Sequence, residues 1–268
     1  MITSFSNPTI KKIRKLTNHK ERATSGLFLI EGLRIVAEAI QCDWKIDTLI
    51  YAPDLLVSEF GQSLIHLGKE KIIPTLEVSK EIFMTFSKKD GPQGIAAVVH
   101  QRWSNLNDIF MQSGEVWVAL ESVQNPGNLG SIMRTAEAIG SKGIILLDHS
   151  TDPYDPIAIK ASMGAIFSLQ LIKTDYKNFL YWKSQSKIPL IGTSDKAPMD
   201  YLNIDYPEAF ILLMGSEREG LSEVYLDQCD QIVRIPMQGR SDSLNLAIAT
   251  SIILYQIFNQ KRLKNINR

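Results

Sequence analysis

Residues 115–147, EVWVALESVQNPGNLGSIMRTAEAIGSKGIILL, decide the fold class of this chain. An apolar run over 116–120 ends at a polar turn, a helical pattern follows, and a second apolar run covers 144–147. Short apolar runs separated by helical segments are typical of parallel strands buried on both faces. The same pattern continues toward the C-terminus with runs at 169–172, 188–191, 210–214 and 232–235. The sequence therefore predicts an α/β domain with a mainly parallel sheet covered by helices on both faces.

The first hundred residues predict a smaller α/β domain. Asn7-Pro8 is a helix start signal, and Ile10, Ile13 and Leu16 then recur at helical spacing with lysines and arginines between them. A further helix is predicted over 33–40, and strands over 27–30, 46–51 and 94–99. The polar stretch 100–114 is the expected linker. We place the domains at 1–106 and 107–268.

Composition limits the possible classes of protein. Cys42 and Cys229 are far apart and the four histidines are scattered, so we predict no metal site. No apolar stretch approaches the ~20 residues that a membrane-spanning helix needs. Lysines and arginines occupy the N-terminus, where a signal peptide would have its apolar segment. We therefore expect a cytoplasmic protein with no membrane partner.

The charge is unevenly distributed although the formal net charge is zero. Residues 1–34 contain seven basic and two acidic side chains, and the last eight residues add Lys261, Arg262, Lys264 and Arg268 without an acid. Basic patches bind nucleic-acid phosphates by releasing counterions, but a solvated helix face has the same composition. The side chains predicted to contact nucleic acid are Lys11, Lys12, Arg14, Lys15 and Arg22.

Three short segments predict one site dispersed through the second domain. They are 125–130 with Arg134, 215–220, and 235–237 leading to 243–245, and each follows a predicted strand. Ligand sites of α/β folds form at strand ends, where loops converge and helix N-termini offer free N–H groups. Neither a Walker loop nor a dinucleotide fingerprint is present, which argues against a nucleotide-dependent oxidoreductase.

The local chemistry of these segments is only partly specified. We interpret Asn128 as a helix-capping residue, and Ser241 or Ser243 as the cap of a final apolar helix over 243–258. The apolar positions of the preceding helix turn Arg134 outward, where it could reach an anion. Asn245 would fall in the first turn of the final helix and needs a hydrogen-bond partner there. Because the final helix is apolar all round, it either fills a large core or also packs against a second subunit.

The segments NPGNLGSIMRTAEAIG, LLMGSEREGLS and IPMQGRSDSLNLAIA, in this order, resemble the three motifs of the SpoU/TrmH family of RNA 2′-O-methyltransferases in the SPOUT superfamily. The resemblance covers about 108–265, including the KASMGA segment at 160–165. Residues 6–8, Lys11 and 28–32 are similar to the ribosomal-protein-like substrate-binding extension of two-domain members. Asn125 departs from the aspartate that is frequent before the proline, and 246–249 departs from Val-Ser-Val-Ala.

The resemblance implies a deep trefoil knot, S-adenosylmethionine bound in the knot, and a homodimer through the final helix. The expected cofactor-binding residues are Gly215, Ser216, Ile235, Met237 and Leu244. The expected catalytic positions are Asn128, Arg134, Glu217, Ser243 and Asn245. Arg134 would act either as the base or as a clamp on the adjacent phosphate, and the clamp agrees better with a guanidinium that stays protonated.

The expected substrate is structured RNA, with 23S ribosomal RNA favoured by the N-terminal extension. Transfer RNA is the alternative for the same chemistry. A ribosome-associated RNA-binding factor without catalysis is the alternative class, although the intact set of catalytic positions argues against it.

Overall fold

The computed structural model describes residues 1–87 and 91–266, with side chains up to 264. The chain forms two compact units: Met1–Gln101 with Tyr154–Phe167, and Arg102–Pro153 with Ser168–Arg268. The division after Gln101 lies upstream of the predicted boundary at 106/107. The sequence did not predict that residues 154–167 belong to the first unit.

The described helices and strands, in chain order, are α1 Pro8–Lys15, α2 His19–Ser25, β1 Leu27–Glu31, α3 Leu33–Gln41, β2 Ile46–Tyr51, α4 Glu59–Glu70, β3 Thr75–Glu77, α5 Lys80–Met84, β4 Ile95–His100, β5 Val116–Glu121, α6 Pro126–Ala138, β6 Gly143–Leu147, α7 Pro156–Ser162, β7 Gln170–Thr174, α8 Tyr176–Gln185, β8 Leu190–Thr193, β9 Met199–Asp200, β10 Phe210–Met214, α9 Glu223–Leu226, β11 Gln231–Arg234 and α10 Leu246–Ile266. Short 3-10 turns cover Leu106–Asp108 and Ala165–Phe167. All predicted strands form, with small shifts at their ends.

The first unit has a four-stranded sheet in the order β1-β4-β2-β3. Strand β4 is antiparallel to β1 and β2, and β3 is parallel to β2. Helix α1 packs through Ile10, Ile13 and Leu16, the residues predicted to form its apolar face. Asn7 caps α1 by accepting the N–H of Thr9 at 2.9 Å, which confirms the predicted helix start.

Aromatic packing explains why 154–167 belongs to the first unit. Tyr154 is fully buried, and its ring centre lies 4.7 Å from that of Phe28 in β1. The indole N–H of Trp44 donates to the carbonyl of Phe167 at 2.9 Å. Contacts of this kind involve residues more than a hundred positions apart, so the local pattern of the sequence does not indicate them.

The second unit has a seven-stranded sheet in the order β7-β6-β5-β10-β8-β11-β9. Every pairing is parallel, in agreement with the predicted mainly parallel sheet. Leu120 at the end of β5 lies beside Met214 at the end of β10. Because parallel strands end at the same edge of a sheet, the loops that follow β5 and β10 are neighbours. Strand β9 was not predicted, since two residues give no detectable pattern.

Helix α10 begins at Leu246 and ends at Ile266, so the predicted range 243–258 placed both of its ends too early. One face is buried and packs beside α6. Ile248 and Tyr255, which are 53% and 47% exposed, lie on the opposite face with the half-buried Ile252 between them. The helix therefore has an apolar stripe that the described residues leave uncovered.

Candidate active site

The loop after β5 turns into α6 at Asn125. Its side-chain oxygen accepts the N–H groups of Gly127 at 2.7 Å and Asn128 at 3.2 Å. Asn125 is therefore the cap of α6, and the interpretation of Asn128 as a capping residue was wrong. An aspartate at 125 would offer the same acceptor, so the departure from the family pattern leaves the cap intact.

Glu217, in the loop after β10, binds this first loop. Its carboxylate accepts the backbone N–H groups of Gln124 at 3.1 Å and Asn125 at 3.0 Å. It also accepts the side-chain amide of Asn128 at 3.1 Å. Burial alone raises the pKa of Glu217, but these hydrogen bonds outweigh burial, and the pKa lies below its ordinary value. The carboxylate is thus held in its charged form.

Gly215 permits the tight turn that carries Glu217. A Cβ atom at this position would lie 2.0 Å from the carbonyl carbon of Gly220, which is closer than any side chain tolerates. Across the turn, Ser216 and Gly220 exchange backbone hydrogen bonds at 2.9 and 3.2 Å. The hydroxyl of Ser216 accepts the N–H of Glu219 at 3.2 Å. The loop is therefore closed on itself before any ligand binds.

Asn245 connects the third segment to the other two. Its side-chain N–H donates to the side-chain oxygen of Asn128 at 3.0 Å. Its own side-chain oxygen accepts the N–H groups of Ala247 at 2.9 Å and Ile248 at 3.3 Å, which caps α10. The predicted caps Ser241 and Ser243 were wrong, because Asn245 fills this role. The sequence predicted that the amide of Asn245 needs a partner, and the structure identifies this partner as Asn128.

A continuous hydrogen-bonded chain thus runs from Glu217 through Asn128 to Asn245. It brings together three of the five expected catalytic residues from separate loops. Both amides donate through nitrogen and accept through oxygen, so the orientation of each side chain is fixed. We call this chain of three residues the amide relay.

Arg134 and Ser243 are exposed, and neither belongs to the amide relay. Neither side chain forms a hydrogen bond or an ion pair with the residues that the structure describes. Arg134 lies on α6, two turns after Asn125 and on the face opposite the buried Ile132 and Ala136, as predicted. A guanidinium offers five N–H donors and no acceptor, so this position suits an anionic ligand.

The segment 235–244 suits a mixed polar and apolar ligand. Within the described part of the chain, none of its backbone N–H groups donates a hydrogen bond. Met237 and Leu244 are 38% and 36% exposed, although both are apolar.

Two further carboxylates accept hydrogen bonds from the segment that follows β10. Glu121 accepts the N–H of Ser222 at 2.9 Å, and Asp148 accepts the hydroxyl of Tyr225 at 2.7 Å. Burial and the bond to Asp148 raise the pKa of Tyr225, so its hydroxyl stays a donor. The sequence does not indicate either carboxylate as a site residue, because their partners lie far along the chain.

Gln124 was not predicted as a site residue, and Asn125, which begins the first predicted segment, was not assigned its role as the cap of α6. Gln124 donates its side-chain amide to the carbonyls of Ser122 and His149, both at 2.9 Å. A signal was available for Asn125, because an asparagine directly before a proline at the first helical position is a typical cap. No local signal distinguishes Gln124 from a solvated loop residue.

The basic N-terminal helix presents most of its predicted cations to solvent. Lys11, Lys12 and Lys15 are exposed, and Lys15 approaches Glu21 only to 3.9 Å. Arg14 is half-buried and donates to the carbonyl of Phe5 at 3.2 Å. The cationic face of α1 therefore exists as predicted, with Arg14 partly engaged in holding the chain before the helix.

Arg22 was wrongly predicted to contact nucleic acid. It is 1% exposed. Its guanidinium donates to the carbonyls of Leu16 and Thr17 at 3.0 Å and pairs with Asp155 at 3.2 Å. Arg22 therefore ties α2 to the segment at 154–167, which is a structural role that the charge pattern could not reveal.

The basic C-terminal residues are also largely engaged within the second unit. The ammonium group of Lys261 donates to the carbonyls of Glu208 at 2.6 Å and Gly114 at 3.1 Å, and burial lowers its pKa. Lys264 pairs with Asp205. Arg268 lies outside the described residues. The C-terminal cations are thus a poorer candidate for RNA contact than those of α1.

Across residues 1–87 and 91–266, no three histidine, cysteine or acidic side chains come together as a metal site would require. Both cysteines in this part are free thiols. None of the described helices combines the length and the apolar character needed to cross a membrane.

Comparisons with known proteins agree on one family. Residues 115–255 match the SpoU rRNA Methylase family, and residues 7–97 match the MRM3-like substrate binding domain. The 23S rRNA (uridine(2479)-2′-O)-methyltransferase of Streptomyces viridochromogenes is 30% identical over 92% of this chain and 87% of its own. The Bacillus subtilis 23S rRNA (guanosine(2553)-2′-O)-methyltransferase RlmP is 27% identical over 96% of this chain and 98% of its own. A crystal structure of an AdoMet-bound rRNA methyltransferase from Sinorhizobium meliloti is 37% identical with a TM-score of 0.88, covering 96% of this chain and 97% of that one.

Proposed function

This chain belongs to the SpoU rRNA Methylase family and is an RNA ribose 2′-O-methyltransferase that uses S-adenosylmethionine, and we propose that its substrate is 23S ribosomal RNA. Two of its relatives are named for this RNA. The exposed lysines of α1 support a polyanionic substrate. A ribosomal RNA substrate also agrees with the expected location in the cytoplasm.

The amide relay is the observation that carries the assignment of roles within the site. It fixes Asn128 and Asn245 between the loop at 215–220 and the start of α10. In our proposal these two amides, with the free hydroxyl of Ser243, orient the ribose. Positioning is the main requirement of an in-line methyl transfer, since the reaction needs only alignment and the loss of one proton.

The methyl donor supplies an electrophilic methyl group on a positively charged sulfur. We propose that Gly215 and Ser216, together with Ile235, Met237 and Leu244, hold it through backbone groups and apolar contacts. The closed turn at 215–220 and the unused N–H groups of 235–244 support this assignment. Glu217 keeps the first loop in register with this binding surface.

Arg134 acts in our proposal on the developing charge of the ribose oxygen. Its guanidinium is protonated at neutral pH, so it donates hydrogen bonds rather than accepting a proton. Donation to the 2′ oxygen and to the neighbouring phosphate would lower the cost of releasing the hydroxyl proton to solvent. The exposed and unengaged position of Arg134 on α6 supports this role over a structural one.

We further propose that the protein is a homodimer through α10. The apolar stripe of Ile248, Ile252 and Tyr255 starts three residues after Asn245, so a partner there would lie beside the site. Sedimentation equilibrium should show a dimer for the wild type and a monomer for Tyr255→Arg. Tyr181→Arg, at a 73% exposed tyrosine of α8, is the matched control and should remain dimeric.

The knot belongs to the same proposal. Strand β10 enters the sheet between β5 and β8, and α10 then packs beside α6, so late segments of the chain lie among earlier ones. This order supports a trefoil knot within residues 107–268, the range that we propose as the methyltransferase domain.

Radiolabelled S-adenosylmethionine tests the activity directly. Purified protein is incubated with ribosomal RNA, transfer RNA and assembled ribosomal subunits, and each RNA is digested to nucleosides. We expect label on the ribose of one nucleoside from 23S RNA. Label on transfer RNA would contradict the proposed substrate. Absence of label from every RNA and subunit would favour an RNA-binding factor without catalysis.

A further inference from the structure

The first unit contains a cavity that the methyl-transfer site does not use. It has a volume of about 260 Å³ and lies where α1 ends, β1 and α3 meet, and α7 packs. Its walls are mainly apolar, with Leu29, Phe86 and Ile159 among them. Pockets for drug-sized ligands begin at about 300 Å³. This cavity therefore suits a single ring system.

Two cations line the same cavity, Arg34 on α3 and Lys160 on α7. Both are exposed, and neither side chain pairs with any residue in 1–87 or 91–266. The carboxylate in the lining, Glu31, accepts a hydrogen bond from the hydroxyl of Ser87. An apolar chamber with cations at its edge complements a flat ring that carries a negative charge beside it, as a nucleotide does.

The cavity begins directly after the C-terminal end of α1. Leu16 and Thr17, which directly follow this helix, form part of its lining. A nucleic-acid backbone held by the lysines of α1 would reach the cavity where the helix ends. Proteins that read single-stranded RNA bury splayed bases against aromatic and apolar side chains in this way.

We propose that this cavity takes one unstacked nucleobase of the RNA substrate, with Arg34 and Lys160 on the flanking phosphates. The inference rests on the proposed function, because it requires an RNA substrate. It adds a second point of RNA contact, in the first unit, which would select RNAs that expose an unpaired base at a fixed position.

A pair of short single-stranded RNAs tests this proposal without any turnover. One carries a central 2-aminopurine, and the other is abasic at that position with the same phosphates. The wild type should bind the first about tenfold more tightly, which is the effect of one base-stacking contact. The 2-aminopurine emission should change on binding, because the base enters a new environment.

Substitutions in the cavity separate the contribution of the base from that of the phosphates. Ile35→Trp and Met163→Trp place a large side chain in the lining and should remove the preference for the base. Met163 is 41% exposed, so Met163→Trp is the second variant for the case that Ile35→Trp fails to fold. Arg34→Glu should lower the binding affinity for both RNAs by about fivefold to tenfold at low salt. Lys69→Glu, at an exposed lysine of α4, is the control and should change neither the base preference nor the RNA affinity.

The outcomes distinguish the two proposals. Equal binding of both RNAs by the wild type, or a base preference that survives both tryptophan variants, would overturn the cavity site and leave the proposed function standing. Failure of the wild type to bind either RNA or total ribosomal RNA would contradict the proposed substrate itself. S-adenosylmethionine binding, measured in parallel, should be the same in all variants because its proposed site lies in the second unit.

Discussion

The site of the second unit and the basic surface of the first unit use polar residues in opposite ways. Glu217, Asn128 and Asn245 hydrogen-bond one another, so their positions are set before a ligand arrives. Lys11, Lys12 and Arg34 have no partner among the described residues and are exposed. Catalysis requires fixed geometry, whereas phosphate binding tolerates mobile charges. Arg134 combines both demands, since a rigid helix presents its free guanidinium.

The largest effect on activity is expected from substitution of Arg134. Arg134→Ala should lower kcat by about a hundredfold to a thousandfold, as removal of one preorganised donor does in other enzymes. Binding of S-adenosylmethionine, measured by calorimetry, should be nearly unchanged. Glu137→Ala, on the exposed side of the same helix, is the control and should keep full activity. Substantial activity in Arg134→Ala would refute the roles of both base and clamp.

Breaking the amide relay should have the next largest effect. Glu217→Gln keeps the shape but turns one acceptor into a donor, which opposes the N–H groups of Gln124, Asn125 or Asn128. We expect kcat/KM to fall about tenfold, and the free energy of unfolding of the second unit to fall by about 1–2 kcal/mol. Glu219→Gln changes an exposed carboxylate in the same turn and should affect neither. If Glu217→Gln changed kcat/KM and stability no more than Glu219→Gln does, the relay would be dispensable.

Removing the exposed lysines of α1 should weaken RNA binding without altering the fold. Lys11, Lys12 and Lys15, all replaced by alanine, should lower the affinity for ribosomal RNA by about tenfold at low salt and reduce the salt slope by about 2. The same change at Lys45, Lys69 and Lys80, which are also exposed lysines of the first unit, is the matched control. An equal loss in both triple variants would indicate a nonspecific charge effect.

The smallest effect is the expected dependence of stability on pH. The pKa of Glu217 is lower in the folded protein than its ordinary value of 4.5, so its contribution to stability is complete above that value and is lost as the pH falls through the folded pKa. The stability difference between wild type and Glu217→Gln, about 1–2 kcal/mol at neutral pH, should therefore shrink below pH 4.5. Urea unfolding at several pH values measures it. A difference independent of pH would argue against a charged acceptor.

Much of the fold follows from local pattern. The six apolar runs of the second unit all form parallel strands, and Asn7 caps α1 where the sequence predicted. The caps of α6 and α10 were assigned to the wrong residues, because several serines and asparagines near a helix start are equally suitable until the backbone is known. The outward position of Arg134 was predicted, since it depends only on helical periodicity.

The sequence by itself determined nine of the strands, the start of α1 and the three segments proposed to form the site, because apolar periodicity depends on neighbouring residues. Only the tertiary structure decided that Asn245 meets Asn128 and that Arg22 is buried against Asp155, pairs that are 117 and 133 residues apart. Such partners are set by the order of strands in the sheet and by which segments share a core. The same physical cause separates the cations that remain free for RNA from those that stabilise the fold.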